Sequence, residues 1–477
     1  MSQSEKNSVA FSFVWKLLER GSAQLITLIV QIVLARVLAP EEFGVISLLL
    51  VFINIANVFI QKGFASSLIR KEDVSNKDYN TAFVVSEAIA IFCVVILIVF
   101  SNTIESFYSI PNLGTYMRVL SVSLLFGALY SVQNAELVKK MHFKQIFYRS
   151  IASSIGSGVI GIVAAFLGMG VRALIMQSVA QQVIICFVTM VACEWKPRIE
   201  FSRKSFDELF SFGSKILVAE IISIGVENVR TLIIGKKYTA TDLAYYDRGQ
   251  VYPATAMRSI YDTISSVLLP VFSKIQNKPQ KLADTVVQSL SISSFLICPL
   301  FIGLAAVARP FILLILTSKW ESAAPFLIIF CIYQIAFPAY GILRQCLYAL
   351  GKSDDVLRLE MLRSIFFIIA IIVGLIFNTI AIAVFSCIAM YLTTIMYYWG
   401  VRKYLPLKTK KMILSIIKTI FQCVVMTMLI ILFNKMQISI MLQILIDVVL
   451  GMVTYILLSV VLKNESFLFC VSFFKNR

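Results

Sequence analysis

The sequence predicts an all-α protein that crosses a membrane twelve to fourteen times, and three observations predict it. Of 477 residues, 59% are hydrophobic and 14% charged, with a mean hydropathy of +0.87. Soluble domains carry about 25% charged residues, so this chain has too little polar surface to face water all round. Apolar windows recur at the length of roughly 20 residues that ~30 Å of hydrocarbon requires. The basic excess, 43 Lys and Arg against 26 Asp and Glu, alternates from loop to loop instead of gathering in one patch.

Fourteen windows meet the length requirement: 15–39, 43–62, 81–103, 115–138, 147–168, 171–193, 209–235, 244–272, 284–308, 323–348, 357–377, 380–400, 412–433 and 438–462. The second, fourth, seventh, eighth and tenth are the most polar. The first thirteen residues are polar and no small-residue cleavage site follows a short apolar core. This reads as an uncleaved first membrane helix, not a signal peptide. The break between the first two windows is LARVLAPEEFGVISLLL (34–50). Pro40 cannot continue the preceding helix, and Glu41 and Glu42 fall in the next helix's first turn, where the helix dipole favours anions.

With the N-terminus placed in the cytoplasm, the inner connections collect Arg70 and Lys71, then Lys139, Lys140, Lys144 and Arg149, then Arg203 and Lys204, and later Arg402, Lys403, Lys408, Lys410 and Lys411. The opposite side holds far fewer, among them Arg36, Arg118, Arg172, Lys236 and Arg309. This is the alternation that the positive-inside rule requires. It places both termini in the cytoplasm. It also leaves no clustered basic face for nucleic acid.

The chain echoes itself. Ser12-Phe13-Val14-Trp15-Lys16 recurs as Ser211-Phe212-Gly213-Ser214-Lys215, and Leu38 to Gly44 recurs in pattern as Tyr238 to Ala244. Six windows separate the copies, so both enter the membrane in the same direction. Parallel repeats of this kind are a transporter plan. The expected organisation is two parallel-repeat lobes of six helices each (1–205 and 206–405), followed by two further helices and a tail at 406–477.

Several chemistries are excluded. There is one histidine, which removes His-based relays and multi-histidine metal sites; no metal site is expected. The nine cysteines form no CxxC pair, and most sit in apolar runs as small hydrophobes. No Walker loop, GxSxG or HExxH is present, and no loop is large enough for a catalytic domain. The protein is not expected to be an enzyme.

Ionisable side chains within spans cost roughly 2.5–3.5 kcal/mol at the centre, so they face a cavity or a partner. Window 1 carries Glu19, Arg20, Gln24, Gln31 and Arg36; window 2 places Asn54, Asn57 and Gln61 on one face. Window 7 carries a stripe of Glu220, Ser223, Glu227 and Arg230, with Glu227 and Arg230 at pairing distance. Window 8 adds Asp247, Arg248, Gln250, Arg258 and Asp262, and there Arg258 and Asp262 are spaced to pair. Two readings stand: a hydrated cavity whose arginines hold an anionic head group while the carboxylates balance them, or ion pairs that stitch helices and end-of-helix arginines that reach the interface. The amides of window 2 read as glue between helices. Arg344, Arg358, Glu360 and Arg363 read as a solvated rim.

Taken together, Glu19-Arg20-Gly21-Ser22-Ala23-Gln24, LARVLAPEEFGVISL, Lys62 to Arg70, Leu209 to Lys215, Leu232 to Lys236, Ala244 to Arg248 and Leu269 to Lys274 resemble the Wzx-type oligosaccharide flippases. Within them the WzxC-like branch is closest; the group belongs to the multidrug/oligosaccharidyl-lipid/polysaccharide exporter superfamily. The resemblance covers about the first 400 residues. It implies a multi-pass protein of the bacterial inner membrane that moves an undecaprenyl-diphosphate-linked oligosaccharide between leaflets by alternating access. The cargo would serve O-antigen, capsule or exopolysaccharide synthesis. It further implies a cationic path built from Arg20, Arg36, Arg230, Arg248 and Arg258, with Glu19, Glu220, Glu227 and Asp262 balancing charge or coupling transport. No cofactor is implied; a proton or sodium gradient or the membrane potential would drive the cycle. Expected neighbours are membrane lipids, a polysaccharide polymerase and chain-length partners. The competing reading is an ion-coupled multidrug antiporter of the sister branch, which should show isolated carboxylates and fewer arginines.

Overall fold

A computed structural model describes residues 3–433 and 439–475. The chain divides into two compact units, Met1–Ala244 and Tyr245–Arg477.

The first unit opens with α1 (Gln3–Val37), α2 (Pro40–Gln61), α3 (Gly63–Arg70) and α4 (Asn76–Tyr108). It continues with α5 (Leu113–Ser121), α6 (Ser123–Lys139), α7 (Phe143–Phe166), α8 (Val171–Ala192) and α9 (Arg203–Lys237). Helix α10 (Ala240–Ile275) starts in the first unit and continues into the second. The second unit adds α11 (Pro279–Ala306), α12 (Ala308–Ile315), a 3-10 turn (Ser318–Ala323), α13 (Ala324–Ala349), α14 (Ser353–Phe377) and α15 (Thr379–Arg402). It ends with α16 (Thr409–Phe433), α17 (Ile440–Val461) and α18 (Glu465–Lys475). Each of the fourteen predicted windows overlaps one or two of these helices, residue 438 of the last window lying outside the described residues, and no strand occurs among the described residues.

Local chemistry sets the helix starts. Ser75 caps α4 reciprocally with Asp78, whose carboxylate accepts from the Ser75 N–H at 2.9 Å. Asn378 caps α15 by accepting from the Ala381 N–H at 2.8 Å. The echoed hinge is built twice in the same way. Glu42, at the third position of α2, accepts from the Ala39 N–H at 2.7 Å. Asp242, in the matching place of α10, accepts from the Thr239 N–H at 3.2 Å and the Thr239 hydroxyl at 2.7 Å. The helices that precede the two hinges, α1 and α9, are each 35 residues long.

Eleven helical segments of the described residues are long and apolar enough to cross a membrane. Among the described residues α1 adds the shorter apolar stretch Gly21–Val37. Segments Pro40–Arg70 and Ser318–Ala349 are the most enclosed, with 61% of their apolar windows buried. Segments Ser353–Phe377 and Ile440–Val461 expose most of theirs. An apolar surface of that extent belongs against lipid.

Each unit has its own packed core. In the first, Phe64, Leu68, Tyr79, Trp195 and Leu209 bind α3, α4 and α9 to the segment after α8. In the second, Phe272, Leu282, Leu343, Met390 and Tyr397 join α10, α11, α13 and α15. A satellite of Phe295, Cys298, Cys423, Met426 and Tyr455 attaches α16 and α17 to α11. The first unit includes α9, which packs along α2, α3 and α4.

Candidate functional site

In the first unit the polar side chains gather inside the bundle. Glu19 on α1 accepts a hydrogen bond from the Ser150 hydroxyl on α7 at 2.8 Å. The neighbouring Arg149 is only 9% exposed. Its Nη1 donates to Asn134 Oδ1 on α6 at 2.8 Å, and its guanidinium carbon lies 5.9 Å from the Tyr130 ring centroid. The Tyr130 hydroxyl accepts from Gln61 Nε2 at 3.4 Å, and the same Nε2 donates to Asn57 Oδ1 at 3.1 Å. Beyond Asn57 lies a cavity of about 270 Å³ bounded by α1, α2, α5, α6, α7 and α8. Asn54 and Asn57, which spacing placed on one face of α2, both line it. They join helices and also furnish a polar wall.

Arg149 reads in the sequence as one more loop charge. The structure corrects this: it is buried on α7 and forms no ion pair among the described residues. Only its place inside a Ser-rich stretch, Arg149-Ser150-Ile151-Ala152-Ser153-Ser154, hints at a polar interior.

The residues implied by the resemblance are spread over both units. Arg36 is exposed in the last turn of α1, and Arg230 is half-buried on α9. Arg248 is half-buried near the start of α10, its guanidinium carbon 5.9 Å from the Trp320 ring. Arg258 is exposed on the same helix. Glu220 of the α9 stripe reaches Lys62 at 3.9 Å, with both side chains more than a third exposed; such a contact contributes little. The side chains of Arg20, Glu227 and Asp262 lie outside the described residues, and so do the expected Glu227–Arg230 and Arg258–Asp262 pairs.

In the second unit the solvated-rim reading is overturned for three of its four residues. Glu360 on α14 receives Arg363 Nε at 2.7 Å, the Tyr340 hydroxyl at 2.5 Å and the Tyr397 hydroxyl at 2.8 Å. Arg344 on α13 stands 3.7 Å from the same carboxylate. It donates to the Tyr340 hydroxyl at 2.8 Å and the Tyr261 hydroxyl at 3.0 Å. The Tyr261 ring can come this near α13 because residue 341 is glycine: a Cβ there would stand 2.0 Å from Tyr261 Cε2. Two guanidiniums on one carboxylate leave a net positive charge among four helices. Arg358 alone is exposed, as a rim residue should be. Spacing could not reveal the network, since its members come from α10, α13, α14 and α15.

The architecture is a helical, membrane-spanning chain in which the turn before α2 and the turn before α10 are built alike. Comparison with known proteins makes this specific. Residues 33–325 match the polysaccharide biosynthesis protein family, and the chain belongs to that family. The succinoglycan biosynthesis transport protein ExoT of Rhizobium meliloti (strain 1021) is 22% identical over 395 residues, covering 81% of this chain and 78% of that protein. The lipopolysaccharide biosynthesis protein WzxC of Escherichia coli (strain K12) is 23% identical over 344 residues, covering 72% and 70%. Among solved structures, the lipid II flippase MurJ in an inward closed conformation superposes with a TM-score of 0.73 at 16% identity, over 95% of this chain and 99% of that one. An inward-facing multidrug resistance transporter of the MATE family gives 0.62 at 12% identity, over 82% and 98%. These likenesses fix the fold.

Proposed function

We propose that this protein moves an oligosaccharide linked to a polyprenyl diphosphate across the bacterial inner membrane, by alternating access and without ATP. The observation that carries the reading is the family match, which runs from the end of α1 to the start of α13 and takes in both charged helices. The chemistry agrees with it. A diphosphate needs cations that stay charged in a poorly solvated path, and arginine's planar fork suits it. Arg230 on α9 and Arg248 and Arg258 on α10 are the residues assigned to that task, with Arg20 and Arg36 contributing from α1. Glu19 and Glu220, together with Glu227 and Asp262, hold the charge balance, and an ion gradient or the membrane potential drives the cycle. The protein acts as a transporter and not as a catalyst. Both termini are cytoplasmic, and polymerase and chain-length proteins act after it. The multidrug antiporter shares the fold, but the family match and the arginines favour an anionic lipid cargo.

The test is genetic. Deleting the gene in its host should abolish a surface polysaccharide and leave its lipid-linked repeat unit on the inner leaflet. The wild-type gene should restore the polymer; Arg230→Ala and Arg258→Ala, expressed at equal level, should not. Normal polymer in the deletion strain would sink the reading.

A further inference from the structure

The cavity inside the first unit has a composition that the assigned path does not use. Six carboxamides face it: Gln31 from α1, Asn54 and Asn57 from α2, and Gln177, Gln181 and Gln182 from α8. Four serines and a threonine add hydroxyls, and four aliphatic side chains complete the wall. Among the described residues no charged side chain lines it.

That composition selects among ligands. An anion would give up its hydration and find no cation; a metal ion or organic cation would find amide oxygens but no carboxylate. A drug-like apolar molecule would offer this polar wall no hydrogen bonds in return for the water it displaces. A carboxamide both donates and accepts, as a hydroxyl does, so a ring bearing several hydroxyls can satisfy such a wall from all sides. The aliphatic residues suit the C–H faces of such a ring. At about 270 Å³ the space equals roughly nine waters at ~30 Å³ each and lies near the lower end of ligand sites, about 300 Å³. This is the scale of one pyranose. The Gln182 side-chain oxygen is buried without a hydrogen-bond partner, an acceptor that a hydroxyl would satisfy.

We propose that this cavity is a binding subsite for one uncharged, hydroxyl-rich sugar residue. It deepens the proposed function, and rests on it for the sugar being part of the cargo. The binding itself can be measured without transport.

The experiment uses the full-length protein purified in an amine-oxide detergent, since a maltoside would compete. Methyl glucoside, methyl galactoside and methyl mannoside are titrated by saturation-transfer NMR, with glucuronate as the charged comparison. At least one hexoside should saturate, glucuronate should bind at least about tenfold more weakly, and Asn54→Leu and Gln181→Leu should each weaken the hexoside about tenfold, the scale of one neutral hydrogen bond lost. A Ser157→Cys protein gives a second readout: the bound hexoside should shield that thiol from a small neutral alkylating reagent, read on its own peptide by mass spectrometry. Absence of saturation by all three hexosides, or no shielding at residue 157, overturns the proposal. So does heat stabilisation by sodium ions with none by sugar. Vesicle transport without hexoside binding would overturn the subsite and leave the proposed function standing. Hexoside binding without transport would support the subsite and count against the function.

Discussion

Gly44, near the start of α2, lies against the backbone of Ala240, the first residue of α10: a Cβ built on Gly44 would stand 1.7 Å from the Ala240 carbonyl oxygen. The two copies of the duplicated hinge therefore touch, and they touch through the position where the first copy has no side chain. Gly44→Ala must push the two helix starts apart, since the obstacle is backbone. A loss of about 1–3 kcal/mol, the usual cost of overpacking, is expected in thermal or detergent unfolding of the purified protein. Gly21→Ala makes the contrast, because nothing lies within 4 Å of that position; it should gain up to about 1 kcal/mol from helix propensity. Equal stability of wild type and Gly44→Ala would show that the hinges do not meet.

The clasp on Glu360 predicts an ordering of variants. Removing the carboxylate leaves Arg344 and Arg363 facing each other, their side chains only 27% and 33% exposed. Breaking one partner of such a network is more damaging than never having built it. Glu360→Ala should therefore cost about 2–4 kcal/mol, whereas Arg358→Ala on the exposed face should stay within ~0.5 kcal/mol. A double-mutant cycle between Glu360 and Arg363, which stand 2.7 Å apart, should show coupling. Additivity would refute the clasp.

Cys193 gives a pH-dependent prediction. It follows α8, is 2% exposed, and its thiol donates to the Glu136 carboxylate. Burial, and then that hydrogen bond, push the thiol up to about 12. An ordinary thiol near 8.5 is about a quarter thiolate at pH 8; this one is about 10⁻⁴ thiolate, and the thiolate is the nucleophile. Alkylation at Cys193 should thus be slower than at a free thiol by roughly three orders of magnitude at pH 8. The rate should climb about tenfold per pH unit up to about pH 12. Peptide-level mass spectrometry reads the rate directly. Glu136→Gln removes the negative charge that opposes ionisation and should move the curve to lower pH. Rapid labelling of the native protein at pH 8 would contradict the buried geometry.

How far the sequence discloses the molecule differs between levels. Helix positions are legible because hydrophobic windows of membrane length have few alternatives, and the hinge repeat is legible because Pro40, Glu42 and Asp242 carry local capping chemistry. The polar interior is much less so. Asn54 and Asn57 share a face that spacing reveals, but Gln177 and Gln181 join them only through the packing of α8 against the rest of the first unit. Arg149 and Arg344 look alike in sequence, both basic and both near a helix end. Burial separates them from Arg358, and for Arg344 it depends on neighbours from other helices, among them Tyr261, 83 residues away in the sequence.

The central claim is that lipid-linked sugar moves through this protein. The protein is reconstituted into vesicles holding a fluorescent oligosaccharide on polyprenyl diphosphate, and a membrane-impermeant reagent quenches whatever label is outside. The account predicts that the quenched fraction rises with time under an ion gradient and without ATP, and that Arg230→Ala and Arg258→Ala slow the rise about tenfold or more, as the loss of a charge-assisted contact to an anion requires. A quenched fraction no higher than in protein-free vesicles, or gradient-driven efflux of organic cations in its place, would contradict it.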